Sequence, residues 1–126
     1  MKIFQRKPNE ALSHETGIVI SSRATVEGEL NTNEDVHLDG EFTGNLVTTG
    51  LVEIEANGKV AGSIKSRSLL VAGKLMDTEA ECRDAIELLP SAIARANLSS
   101  RTIEIQKGAY FVGKITTKQD HDLLHT

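Results

Sequence analysis

The sequence predicts an all-β solenoid, a fold in which short strands wind into stacked coils. The main observation is an apolar couplet, two apolar residues separated by one other, that recurs along the chain. The first members of successive couplets lie 18, 16, 17, 17 and 17 residues apart. Self-similarity at a nearly fixed period is typical of repeat architectures. The six couplets are Ile18/Ile20, Val36/Leu38, Val52/Ile54, Leu69/Val71, Ile86/Leu88 and Ile103/Ile105.

A second pattern, apolar-x-small-x-apolar, follows most of the couplets. Alternation by two predicts strands with one buried face. Two such strands in about 17 residues leave no room for a helix. Their return in the same order therefore predicts parallel stacking in about six coils, about 29 Å long. The small central residue is predicted to face inward, where a narrow core has no room for a side chain. The pattern is found at 26–30, 42–46, 60–64, 94–98 and 111–115.

One coil is irregular. Asp77 and Glu79 stand where the pattern expects a small and an apolar residue, but the next couplet is on schedule. We therefore expect a bulge or loop between about Asp77 and Asp84. Pro90 cannot donate to a strand ladder, so it is predicted to lie at a corner.

Composition and period divide the chain into three parts. Residues 17–117 form the predicted solenoid, and residues 1–16 and 118–126 lack the period and are expected to be flexible tails. A net charge of −4 argues against a nucleic-acid partner. Cys82 is the only cysteine, and no apolar run has the length of a membrane span. These two features favour a reducing, cytoplasmic location.

Four stretches carry a resemblance to a known family, namely residues 24–30, 36–46, 86–90 and 108–115. By their order and phase, residues 17–117 resemble the bactofilins, a polymer-forming bacterial cytoskeletal family. The resemblance implies a right-handed parallel β-helix of triangular cross-section. It also implies assembly into filaments without nucleotide or other cofactor, and often membrane association through the N-terminal tail. It suggests a scaffold for cell shape or protein localisation, and leaves cell-wall or morphogenesis proteins open as partners. Ala96, in place of the usual glycine, departs from the family pattern.

The two ends of the solenoid are the predicted polymerisation interface, because terminal coils present unpaired backbone groups. Phe111 is predicted to form the centre of a contact between two C-terminal ends. Alternatively, Phe111 fills the last core layer beneath the C-terminal tail. End-on pairing of like ends would give a non-polar filament, which the resemblance favours, and head-to-tail stacking would give a polar one. The predicted interface residues are Ile18, Val19, Ile20, Ile103, Ile105, Tyr110, Phe111 and Ile115.

The N-terminal tail mixes apolar and basic residues. Ile3 and Phe4 could enter a lipid interface while the basic residues meet anionic head groups. This predicts attachment to the inner face of the cytoplasmic membrane, and the alternative is an ordinary disordered start. The predicted membrane-contacting residues are Met1, Lys2, Ile3, Phe4, Arg6 and Lys7.

No catalytic, cofactor or metal site is predicted. Residues 108–115 nearly match a phosphate-binding loop but end in Ile115 where Ser or Thr is needed. Residues 121–125 resemble a zinc-protease helix but offer no third ligand. His37 is expected to pair with Glu53 on the next coil, and Cys82 is interpreted as an ordinary small residue. A left-handed β-helix acyltransferase and a monomeric solenoid binding module remain the alternatives from other classes.

Overall fold

Ten strands wind into six stacked rungs in the computed structural model, which describes residues 17–117. All pairing between the strands is parallel. The predicted parallel solenoid of about six coils is therefore confirmed. The strands are β1 (Ile18–Ile20), β2 (Thr25–Thr32), β3 (Val36–Leu38), β4 (Glu41–Thr48), β5 (Leu51–Ile54), β6 (Lys59–Val71), β7 (Lys74–Leu88), β8 (Ile93–Ser100), β9 (Thr102–Ile105) and β10 (Tyr110–Thr117).

The couplets stack directly above one another. The first members of consecutive couplets are paired from Ile18 on β1 to Ile103 on β9. The strands of the second pattern stack in the same way, from β2 through β4, β6, β7 and β8 to β10. Because each rung places an apolar residue over an apolar residue, the inward side chains form continuous columns. Most core residues of the middle rungs, such as Val52 and Leu88, are completely buried.

The glycines of the second pattern have a different role from the predicted one. Gly44 and Gly62 have φ values of 135° and 125°, a conformation that other residues rarely adopt. A Cβ on Gly44 would lie 1.9 Å from the Gly28 carbonyl oxygen, and one on Gly62 would lie 2.0 Å from the Gly44 oxygen. The missing side chain would therefore point at the backbone of the preceding rung and not into the core. The expectation that these glycines face inward was wrong.

The irregular coil contains two bulges, whereas the sequence predicted one bulge or loop between about Asp77 and Asp84. The first is at Asp77, which has a φ of 48° and is skipped in the pairing of β7 with β6 and β8. The following Thr78 takes the place opposite Gly62, and its hydroxyl donates to the carbonyl of Val60. The second shift inserts an extra residue at Arg83 and Asp84. Pro90 lies in a turn directly after β7, also as predicted.

Candidate assembly interface

Each end of the solenoid has strands that pair on one side only. Among residues 17–117, β1 pairs with β3 alone and β2 with β4 alone. At the other end, β9 pairs with β7 alone and β10 with β8 alone. The outer edges of these four strands carry backbone donors and acceptors that no described strand uses. Such edges are templates for pairing with another chain.

The C-terminal rung leaves its inward side chains uncovered. Ile105 and Ile115 are 40% and 41% exposed, whereas their partners one rung below, Leu88 and Leu98, are almost fully buried. Phe111 lies in the inward column above Ala94 and is partly buried. The side chains of the last rung point inward like those of the rung below. They are exposed because no described rung covers them. This end therefore presents an apolar layer.

The N-terminal rung is more closed than the sequence suggested. Ile18 and Ile20 face inward and are only 8% and 4% exposed. Val19 between them faces outward, in the column that continues with His37. Of the three residues predicted to be offered at this end, only Val19 is exposed, and their role in polymerisation stays a prediction. The end face here consists mainly of the backbone edges of β1 and β2.

Tyr110 lies on the side of the solenoid and not on its end. It pairs with the exposed Ile93 and precedes the inward Phe111, so strand alternation turns it outward. Val112 is also outward and exposed, and sequence reasoning did not select it. Of the predicted interface residues at the C-terminal end, Ile103, Ile105, Phe111 and Ile115 share the inward layer, and Tyr110 is outside it.

Gly28 is a feature of the N-terminal end that sequence reasoning missed. It begins the glycine column and has a φ of 126°, but no described atom lies within 4 Å of its Cβ position. In Gly44, one rung along, that position collides with Gly28 itself. A Cβ on Gly28 would therefore project from the N-terminal end face. The sequence contained a signal for this end position, because Gly28 is the first of the glycines that recur at the centre of the second pattern.

Charge is unevenly distributed along the axis. Residues 17–55 contain eight carboxylates and one arginine, a net charge of −7. Residues 56–117 contain nine lysines and arginines and six carboxylates, a net charge of +3. Within residues 17–117, this charge distribution favours contact between opposite ends over contact between like ends at low ionic strength.

Reactive side chains are engaged in structural contacts. His37 Nδ1 lies 3.1 Å from Glu53 Oε1, as predicted, and 3.6 Å from Glu55 Oε2. These three residues could share a metal ion, but pairing across rungs explains their approach without one. Cys82 is buried, with Sγ 3.3 Å from Ser66 Oγ, and burial raises the pKa of its thiol to about 11. A thiol with that pKa is protonated at neutral pH and is a poor nucleophile.

Other predicted segments fall in strands or outside the described residues. The segment resembling a phosphate-binding loop is largely strand β10, and no described helix follows it. The predicted membrane-contacting residues within 1–7 and the histidine pair at 121–125 lie outside the described residues. Within residues 17–117, no helix is long and apolar enough to span a bilayer.

Comparison with known proteins identifies the family. A family model for bactofilins, described as polymer-forming cytoskeletal, matches residues 18–116. The chain belongs to the bactofilin family. Bactofilin BacO of Myxococcus xanthus (strain DK1622) is 25% identical over 97 residues, which cover 77% of this chain and 76% of BacO. The residues that carried the resemblance therefore identified the family correctly.

A solved bactofilin structure has the same fold. It is a cryo-EM reconstruction of Thermus thermophilus bactofilin double helical filaments, with a TM-score of 0.70 and 24% sequence identity. The match covers 79% of this bactofilin and 98% of the solved chain. Membership in a cytoskeletal family favours a structural role over the acyltransferase and the monomeric binding module.

Proposed function

We propose that this bactofilin is the subunit of a cytoskeletal filament that assembles end to end without nucleotide and has no catalytic role. The observation that carries the proposal is the uncovered C-terminal rung. Two of its inward isoleucines, Ile105 and Ile115, are about two-fifths exposed, although their partners one rung earlier are almost fully buried. Burying the remaining surface of one such side chain contributes about 1 kcal/mol. Two molecules that meet through this layer would cover it for both.

Backbone pairing adds to this apolar contact. The edges of β9 and β10 offer a template on which a second copy can continue the sheet. A contact between two identical ends is two-fold and self-complementary, so each residue contributes twice. Alternating contacts between C-terminal ends and between N-terminal ends would give the non-polar filament that the resemblance implies. In such a filament the repulsion between like-charged ends opposes the apolar and backbone contacts, and salt would screen it. The solved relative forms double helical filaments, which supports polymerisation as the role of this chain.

Phe111 and Val112 provide a matched test of the end contact. The two residues are adjacent on β10, and one faces the end layer while the other faces sideways. We expect Phe111→Arg to shorten or abolish filaments, because a charge would be buried at the contact. We expect Val112→Arg to leave filaments intact. Negative-stain electron microscopy and sedimentation without nucleotide measure both variants, and circular dichroism checks that each is folded. Equal pelleting of wild type and both variants would overturn the proposal for Phe111.

Membrane attachment and location complete the proposal. Met1, Lys2, Ile3, Phe4, Arg6 and Lys7 would hold the filament at the inner face of the cytoplasmic membrane. A single short tail with two apolar anchors binds weakly, but a filament presents many tails at once. The filament would serve cell shape or the localisation of partner proteins, including cell-wall or morphogenesis proteins.

A further inference from the structure

One corner of the solenoid carries an arginine on three successive rungs. Three arginines, Arg67, Arg83 and Arg101, each directly follow a buried small residue, namely Ser66, Cys82 and Ser100. Each arginine is exposed, and each stands where the chain turns toward the next couplet. We call these three residues the arginine corner.

The pairing register places the three arginines above one another. Ser66 pairs with Cys82 and Ser68 with Ala85, so Arg67 lies opposite the bulge at Arg83 and Asp84. On the next rung, Glu81 pairs with Ser99 and Ala85 with Thr102, and Arg101 lies in the interval opposite Arg83. Adjacent strands are about 4.8 Å apart, so three positive charges follow the axis at about that spacing.

These charges are only partly compensated. Arg67 lies 4.0 Å from Asp84, at the outer limit of an ion pair, and both side chains are about half exposed. Among the described residues, no carboxylate lies within 4.0 Å of Arg83 or Arg101. Like charges at this spacing repel, so the corner is more stable when an anion lies between the guanidinium groups.

The arginine corner borders a cleft. The cleft has a volume of about 400 Å³ and a lining that includes Lys65, Glu81 and all three arginines. The remaining lining consists of three hydroxyl-bearing residues, Thr48, Thr49 and Ser66, and the thiol of Cys82. Four cations against one carboxylate, together with hydroxyl groups, form a concave and positively charged surface. This composition suits a ligand with several negatively charged oxygens.

We propose that this cleft binds a phosphate-bearing anion, either a free phosphorylated molecule or the head group of an anionic lipid. Guanidinium groups pair with phosphate oxygens through two parallel hydrogen bonds, and stacked arginines can hold more than one phosphate. The cleft opens on the side of the solenoid, whereas the proposed polymer contacts use its ends. A filament would therefore display the cleft once per subunit. This inference does not depend on the end contacts.

The test uses the full chain and pyrophosphate as the first probe. The double variant Arg83→Gln/Arg101→Gln removes two charges from the cleft, and Arg95→Gln, exposed on β8 and outside the cleft lining, is the charge control. Calorimetric titration of wild type and Arg95→Gln is expected to show the same saturable binding. The double variant is expected to bind at least about tenfold more weakly, because it loses charge-assisted hydrogen bonds. Circular dichroism and sedimentation confirm that it still folds and assembles.

Vesicles form the second arm and distinguish the source of the phosphate. Phosphatidylcholine vesicles with and without phosphatidylglycerol are sedimented with each protein. The double variant and the control keep the same N-terminal tail, so a difference between them reports on the cleft. Loss of pyrophosphate binding alone identifies a free ligand, and loss of vesicle binding alone identifies a lipid head group. If the double variant behaves like Arg95→Gln in both arms, or wild type binds neither probe, the proposal is wrong.

Discussion

Replacing Gly44 with alanine tests whether the glycine column is required by contact between rungs. The new Cβ would lie 1.9 Å from the Gly28 carbonyl oxygen, whereas ordinary contacts begin near 3.4 Å. Gly28→Ala is the matched control, because its φ of 126° is close to the 135° of Gly44 and no described atom opposes its Cβ. The two variants therefore share the cost of the backbone conformation and differ in the collision.

The expected magnitudes follow from these two terms. The positive φ costs each variant about 1–3 kcal/mol in unfolding free energy. The collision adds about 1–3 kcal/mol in Gly44→Ala, because the rungs must separate locally and strain their hydrogen bonds. The loss in Gly44→Ala is a large fraction of the typical stability of a domain, about 5–15 kcal/mol.

Denaturant unfolding followed by circular dichroism measures both values. The measurement is made at concentrations at which no protein pellets, since assembly would add to apparent stability. Equal losses in the two variants, or a larger loss in Gly28→Ala, would refute the collision argument.

The same control variant reports on assembly, because its added methyl group would project from the N-terminal end. We expect Gly28→Ala to remain folded but to weaken contacts between N-terminal ends.

Three further predictions concern charge, the buried thiol and the N-terminal tail. If like ends join, added salt should strengthen pelleting by screening the net charge of −7 on residues 17–55, whereas in head-to-tail assembly salt should weaken it. Burial raises the pKa of the Cys82 thiol from 9.0 to about 11, so the unfolded chain loses this proton at lower pH than the folded chain. The free energy of unfolding should therefore fall as pH rises from about 9 to about 11, and Cys82→Ala should abolish this part of the pH dependence. The native thiol should also react slowly with a disulfide reagent at pH 8 and rapidly after unfolding. Deleting residues 2–7 should reduce co-sedimentation with anionic liposomes, and unchanged pelleting would exclude the tail as an anchor.

Much of the fold could be predicted because its signals are local. The couplet from Val36 to Leu38 is a strand with both apolar residues inward, as alternation requires. The irregular coil was located from two misplaced residues, Asp77 and Glu79, and the first bulge is at Asp77. Cross-rung pairing of His37 with Glu53 followed from the period alone.

Details that depend on winding were harder to predict. The glycine in the middle of most of the second strands was predicted to face inward, because alternation by two ignores the local φ. The structure places the missing Cβ against the preceding rung. Tyr110 was grouped with Phe111 as an end residue, although neighbouring residues on a strand face opposite sides. The arginine corner was not recognised, because Arg67 and Arg83 are 16 residues apart in sequence and meet only through the register.

The amino-acid sequence by itself determined that this chain is a parallel β-solenoid of the bactofilin family, because the period and the alternation are properties of residue order. The tertiary structure decided which side chains lie at the ends, which face sideways and which charges share a corner. Those properties depend on how each rung is placed over the last, and a single bulge can change that placement. The uncovered isoleucines of the C-terminal rung and the stacked arginines are both consequences of this placement.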